Sequence, residues 1–344
     1  MKILQTPNFK NYRESFLAKL EKMFISPANT FDNVKGNFPI GFKIWNTKIK
    51  TKFNSIFTDV YDSNGNELPQ KNLICVDDSL LINDWINKVC INSDNWIGCI
   101  NIKANDFQHN SNVCIGLENV FSKGDVHKYI HKETLFSFSV YFSVRFCIEQ
   151  SWLNDRDQFL YPNDNWKADK TFQSNCLIYT LFHGQNRISS EQGDNHWIPF
   201  TREQFGCKKT LKSKFMSSFI KDFLDGKVDC SDSKKEETLF ENQSVVVLTS
   251  STIESEKITL SKEAQDVYDS GLELWKYYHI QTNANPNASF YDIRKYFQGT
   301  NDKGKMNLTS NDEKYTELIG DLRDKMKSLA KAIEPKVYEY GFLK

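Results

Sequence analysis

The 344-residue sequence lacks the motifs by which several kinds of complete active site are recognised. It contains no Gly-rich turn between a predicted strand and a predicted helix, no Pro-Pro dipeptide, and no P-loop, GxSxG or HExxH motif. These absences exclude a P-loop or cofactor-binding Gly-rich turn, a nucleophile elbow of the α/β-hydrolase type and an HExxH zinc-protease helix. The function must therefore be sought in partial patterns.

The eight cysteines are not arranged for metal binding. None forms a CxxC pair, and no Cys/His cluster has zinc-finger spacing. Most lie in apolar runs, which predicts buried, reduced thiols. They are Cys75, Cys90, Cys99, Cys114, Cys147, Cys176, Cys207 and Cys230.

Long apolar runs and an excess of charge of one sign are also missing. No uninterrupted apolar run reaches the about 20 residues that a membrane-spanning helix needs, and the N-terminus has no signal-peptide pattern. We therefore expect a cytoplasmic protein with no membrane partner. Lys and Arg total 44, as do Asp and Glu, so any binding of nucleic acid must come from a local basic patch.

Apolar and aromatic side chains are plentiful, at 39% and 14% of residues, which predicts a packed core. Apolar residues at helical spacing predict a helix over residues 9–22. The pair Asn64-Gly65 predicts a tight turn, with a partner strand near residues 73–76. Apolar runs predict strands at residues 23–27, 38–45, 53–61, 96–102 and 113–117. The run at 38–45 has few polar breaks, which is typical of a strand covered on both faces.

The second half of the chain is predominantly helical by pattern. A polar segment at residues 225–243 is the best linker candidate. Beyond it, capping boxes predict helices that begin at Ser289 and Ser310, and Pro335 is expected to end or kink the last helix. The other predicted helices cover residues 80–89, 135–153, 172–182 and 261–280.

One stretch has a sharper interpretation than secondary structure alone. Phe31, the polar loop that follows it and the strand at residues 38–45 resemble the penultimate hairpin of γ-type adenine-N6 DNA methyltransferases. In that family the aromatic residue at the start of the loop stacks against the adenine swung out of the duplex, which implies this role for Phe31. Such stacking contributes roughly 1–3 kcal/mol per base. The alternative is a phenylalanine packed under a hairpin turn.

The resemblance extends over nearly the whole chain. Residues 152–164, 180–190, 195–201, 291–299 and 334–343 resemble the C-terminal part of large bacterial N-6 adenine-specific DNA methyltransferases of restriction–modification systems. In such enzymes the cofactor turn and the Asn-Pro-Pro-Tyr motif lie upstream, so Met1 would fall inside the family's reading frame. The resemblance implies S-adenosylmethionine in the complete enzyme but no cofactor site in this chain, and a separate chain that carries the catalytic motifs.

Target recognition in this family lies downstream of the catalytic core, which makes double-stranded DNA the expected partner. Arginine side chains read guanine edges bidentately, and lysine clusters neutralise phosphates. The DNA-binding candidates are Arg156, Arg187, Arg202, Lys208, Lys209, Lys212 and Lys214. For any one of them alone, a solvated surface charge is the simpler interpretation.

The expected fold class is α/β. Residues 1–62 are predicted to form the last helix and strands of a Rossmann-like methyltransferase core, residues 63–225 a mixed α/β target-recognition region, and residues 245–344 a helical C-terminal region. The isolated end of such a sheet exposes apolar strands. We therefore expect either a partner polypeptide or a rearranged packing of residues 1–60 against the rest.

Two other functions stay open on sequence grounds. Glu254, Glu256 and Lys257 form an ExK pattern, which suggests a metal-dependent nuclease but lacks its leading aspartate. His183 and His196 lie near acidic residues, yet without a third ligand at suitable spacing neutral histidines are expected. The remaining alternative is a non-catalytic remnant that binds other methyltransferase subunits.

Overall fold

The computed structural model describes residues 1–77, 79–91, 93–118, 121, 125–191, 195–207, 218–227 and 257–344. This part of the chain is mixed α/β, with a four-stranded sheet, a three-stranded sheet and several helices. The α/β class is confirmed at that level. Within the described ranges, no helix combines the length and the apolar character that crossing a membrane requires.

The N-terminal residues build the four-stranded sheet. Two short helices, α1 (Lys2–Gln5) and α2 (Lys10–Ser15), precede strands β1 (Lys19–Pro27), β2 (Pro39–Asn46), β3 (Ser55–Tyr61) and β4 (Glu67–Ile74). The strand order is β2-β1-β3-β4. The β1/β2 and β3/β4 pairs are antiparallel, and β1/β3 is parallel. Gly65, at φ +83°, closes the predicted turn between β3 and β4.

The rest of the described chain combines a small antiparallel sheet with the longer helices. Helix α3 (Ile82–Val89) leads into strands β5 (Trp96–Asn101), β6 (Ile115–Gly116) and β7 (His127–His131), in the order β6-β5-β7. The helices that follow are α4 (Leu135–Phe146), α5 (Lys170–Phe182), α6 (Phe219–Leu224), α7 (Lys262–His279), α8 (Phe290–Gln298) and α9 (Glu313–Glu339).

Two main hydrophobic cores hold these elements. The larger one runs from Ile82 to Leu343 and is built where α4, α5, α7 and α9 pack on one another. It draws on residues from both sides of the predicted 225–245 boundary. The smaller core lies under the N-terminal sheet and includes Leu4, Ile25 and Val60. The division into three regions stays a prediction.

Several element boundaries differ from the sequence expectations, each for a local reason. The predicted helix over residues 9–22 is wrong in its second half, because residues from Lys19 onward pair with β2 as strand β1. The box at Ser289 is confirmed, since its hydroxyl accepts from the Asp292 amide. The box at Ser310 is wrong. That hydroxyl donates to the Phe297 carbonyl at 2.7 Å, and Asp312 caps α9 instead.

The cysteines follow the expected pattern in part. The seven in the described ranges are all free thiols. Cys99, Cys114, Cys147 and Cys176 are buried, as predicted, and burial raises the pKa of Cys99 to about 12. The other three, Cys75, Cys90 and Cys207, are partly exposed. Cys230 lies outside the described residues.

Candidate functional site

Strands β1 and β2 alternate between a buried face and an open face. Met23 and Ile25 point into the small core, whereas Phe24 between them is 42% exposed. The register places Phe24 opposite Phe42 of β2, and their rings stack at 4.6 Å between centroids. Ile44, two residues beyond Phe42, is 63% exposed. The strand pair therefore presents apolar side chains to the solvent.

Strand β3 continues this open surface. Tyr61 meets the ring of Phe24 edge-on at 6.2 Å, and Phe57 is 69% exposed. We call the surface formed by Phe24, Phe42, Ile44, Phe57 and Tyr61 the aromatic face. The expectation that the strand at residues 38–45 is covered on both sides is wrong. Only its inner side is packed in the described chain.

Phe31 lies at the rim of the aromatic face. Its ring is 6.1 Å from that of Phe42, and the residue is 38% exposed. A single helical turn over Ala28–Thr30 sets its position, because the Phe31 amide donates to the Ala28 carbonyl at 3.1 Å. Asn33 then turns the chain at φ +63°. The loop thus holds an aromatic ring beside the face without burying it.

The outer edge of β2 is unpaired in the part of the chain that the structure describes, since β2 is the last strand of its sheet. Gly41 in this strand leaves room for Met23, whose Cε would lie 2.6 Å from a Cβ at that position. Lys43 points to the inner side, where burial lowers the pKa of its ammonium group. An open edge next to an open apolar face is the surface on which strand addition occurs.

The three predicted DNA-binding arginines are each engaged locally. Arg156 lies 3.2 Å from a carboxylate oxygen of Asp155 and also donates to Gln108. Arg187 donates to the Gln185 side chain at 2.7 Å, and Arg202 reaches Asn287 at 3.4 Å. No hydrogen bond or ion pair that the structure describes links these three to one another. Lys208, Lys209, Lys212 and Lys214 lie outside the described residues.

The structure adds two arginines that the sequence did not single out. Arg294 of α8 donates from Nη1 to the Gly184 carbonyl at 2.9 Å, next to the turn that carries Arg187. Arg323 of α9 lines the same cavity as Arg294, a space of about 100 Å³. Burial, with the like charges of Arg323 and Arg187, lowers the pKa of the Arg294 guanidinium. Arg294 falls within the motif at residues 291–299, but nothing in the sequence pairs it with α9.

The described residues among those considered for metal binding are not gathered into a site. His183 packs against the rings of Phe142, Phe146 and Tyr179, and burial lowers its pKa to about 3. It is therefore neutral, as expected, although its surroundings are aromatic rather than polar. Over the described ranges, no group of three or more His, Cys, Asp or Glu side chains is placed to hold a metal ion.

Most of the residues that suggested a nuclease lie outside the described part of the chain. Glu254 and Glu256 lie outside the described residues, and Lys257 is the exposed first residue of the last described segment. This interpretation stays a prediction, which plasmid cleavage in the presence of Mg²⁺ by the chain and its Glu256→Ala variant would test.

Comparison of the chain with protein-family models, with curated proteins and with solved structures found no match. An argument for function therefore starts from the aromatic face, the arginines and the sequence motifs.

Proposed function

We propose that this chain is the DNA-recognition and C-terminal module of an adenine-N6 DNA methyltransferase of a restriction–modification system. Its cofactor and catalytic motifs reside on another polypeptide, which docks on the N-terminal sheet. The observation that carries the proposal is the aromatic face beside the open edge of β2. The motif resemblance names the missing part as the strands that bind S-adenosylmethionine.

The physical argument begins with the cost of exposed apolar area. Each Å² of apolar surface left in water forfeits about 25 cal/mol of burial energy. Phe24, Phe42, Ile44 and Phe57 are all more than 40% exposed on one contiguous surface. Contiguous patches of this kind mark interaction sites in soluble proteins. The adjacent edge of β2 offers unpaired backbone groups, which a further strand would satisfy in register.

The position of Phe31 fits the same partner. A polypeptide that covers the aromatic face would bring its catalytic loop close to the rim where Phe31 lies. The ring is then available to stack on an adenine held outside the duplex, while the partner's residues bind the methyl donor. This role for Phe31 follows from the motif resemblance, and its partial exposure supports it.

The first test is DNA binding by the purified chain. We expect a short fluorescent duplex to bind at low salt and the affinity to fall as salt rises, because the contacts are mainly to phosphates. Incubation with S-adenosylmethionine and DNA is expected to give no methylated adenine. Binding that is absent at low salt would contradict the recognition role, and methyl transfer by the chain alone would contradict the division of labour.

The aromatic face favours a second candidate, a non-catalytic protein that binds methyltransferase subunits without reading DNA. Both candidates predict association through β2 and the aromatic face. They differ in the duplex titration, since the second predicts no salt-sensitive DNA affinity. A chain that co-purifies with a methyltransferase subunit yet leaves the duplex free at low salt would select it.

A further inference from the structure

Three arginines from distant parts of the sequence surround one turn. The turn after α5 carries Arg187, α8 carries Arg294 and α9 carries Arg323. Arg294 donates to the carbonyl of Gly184, and Arg187 donates to the side chain of the next residue, Gln185. Arg323 and Arg294 line the same cavity, as does Gly184 of the turn. We call these three residues the arginine cluster.

The turn that supports the cluster is held firmly. Its backbone pairs with β6 in both directions, from the Ile115 amide to the Gln185 carbonyl at 3.0 Å and from the Arg187 amide to the Ile115 carbonyl at 2.7 Å. The Asn186 side chain adds a bond to the Thr180 carbonyl at 3.1 Å. The guanidinium groups are therefore presented from a fixed scaffold, which lowers the entropic cost of binding a ligand.

Among the described residues, no carboxylate is ion-paired with the cluster. In the described ranges, neither Arg187, Arg294 nor Arg323 forms an ion pair with a carboxylate. Two acidic residues close in sequence to the cluster pair with lysines instead. Glu191 pairs with Lys295 at 2.8 Å, and Asp324, next to Arg323, pairs with Lys327 at 2.8 Å.

The cavity beside the cluster strengthens its field. Its other walls are apolar side chains of α5, α8 and α9, among them Phe182, Ile319 and Met326. A cleft with charges of one sign and walls of low dielectric focuses the field on whatever approaches its mouth. Arginine suits a phosphate at such a site, because its planar fork donates two parallel hydrogen bonds.

We propose that Arg187, Arg294 and Arg323 form a phosphate-binding site that binds the backbone of duplex DNA. This inference rests on the proposed function, and it places one DNA contact on the helical part of the chain, at the α5 turn and the facing sides of α8 and α9. The contact is to the backbone, so it positions the duplex without reading its sequence.

The test compares variants of the full chain in the duplex titration over a range of salt concentrations. Arg187→Gln and Arg323→Gln should each make the negative slope of log Kobs against log salt less steep by about 1, the value for one lost phosphate contact. Lys331→Gln, on an exposed residue of α9 eight positions beyond Arg323, is the matched control and should leave the slope unchanged. Thermal unfolding of each variant shows that the fold is intact.

The outcomes separate the inference from the function beneath it. If the wild-type chain binds DNA and both arginine variants behave like Lys331→Gln, the arginine cluster is not a DNA contact and the proposed function stands. If the wild-type chain does not bind DNA, the phosphate-binding site and the proposed function are both contradicted. Inorganic phosphate at constant ionic strength tests for a free-anion site. Saturable stabilisation that Arg323→Gln abolishes, with DNA binding unchanged, would overturn the backbone contact.

Discussion

At the scale of single residues, Arg13 shows how one buried side chain ties the N-terminus together. Its Nε donates to Asp77 at 2.8 Å, its Nη2 to the Thr6 carbonyl at 2.6 Å, and its Nη1 to the Ile3 carbonyl. The hydrogen bond from Arg13 holds the pKa of Asp77 below its usual value. Through these bonds Arg13 of α2 links α1 to the segment after β4.

This pairing predicts a loss of stability in acid. A carboxyl whose pKa is lower in the folded state stabilises the protein above its unfolded pKa of about 3.9, and the stabilisation disappears as pH falls through the folded value. We expect Asp77→Asn to cost about 3 kcal/mol at pH 7, since it leaves a buried cation unpaired. In urea unfolding, the gap between wild type and variant should shrink below about pH 4. A gap that stays constant from pH 7 to pH 3 would contradict it.

Residue-level prediction from the sequence succeeded where the chemistry is local. The turn at Gly65 and the cap at Ser289 depend on residues within a few positions of one another, and both form as predicted. The capping of α9 was missed by two residues because Ser310 is drawn to the Phe297 carbonyl, a contact with the end of α8. The arginine cluster was missed because it also depends on a contact between distant segments. Arg187 and Arg323 are 136 positions apart in the sequence.

At the scale of elements, the β1–β2 hairpin was predicted, and of the two expectations for its environment the exposed apolar strand, not the strand covered on both faces, agrees with the structure. Apolar residues on both sides of β2 were taken to indicate burial on both faces. Met23 and Ile25 meet a core, while Phe42 and Ile44 do not. The sequence shows that the strand has apolar residues on both faces, which favours burial of both. It does not show which protein covers the second face.

The aromatic face predicts an unusual mutational response. Replacing Ile44 and Phe57 together by threonine should change the free energy of unfolding by less than about 1 kcal/mol in total, because the two residues are 63% and 69% exposed. Self-association in sedimentation velocity should fall, since the exposed apolar area is reduced. Ile25→Thr, on the inner face of the same sheet, is the control and should cost about 2 kcal/mol or more.

The opposite result would be informative. If the Ile44→Thr, Phe57→Thr variant unfolds as easily as Ile25→Thr, then part of this chain covers the aromatic face in solution, and the docking argument for a separate polypeptide fails.

At the scale of the whole molecule, the two cores meet along a seam. The ammonium group of Lys71, on β4, lies 2.5 Å from the Asp157 carboxylate and donates to the Leu153 carbonyl at 2.8 Å. Gln5 of α1 donates to the same carboxylate at 3.0 Å. A cleft of about 360 Å³ runs beside these contacts, with Tyr338 of α9 on its far wall. The seam is thus polar and incompletely packed.

The seam predicts where the molecule opens first. Burial raises the pKa of Asp157, although Lys71 acts in the opposite direction. Lys71→Met removes that cation, so the ionised carboxylate becomes costly and the N-terminal sheet should detach before the larger core unfolds. Hydrogen exchange should then rise selectively in residues 19–74. A carboxyl with a raised folded pKa costs stability once the pH exceeds its unfolded pKa of about 3.9, and the cost is complete above the folded value, so the effect should be larger at pH 7 than at pH 4. The double variant Lys71→Met, Asp157→Leu removes both charges and so leaves no unpaired carboxylate buried. It should regain much of the protection against hydrogen exchange. Equal exchange in wild type and Lys71→Met would mean that apolar contacts of Trp152 and Leu153 hold the sheet without the ion pair.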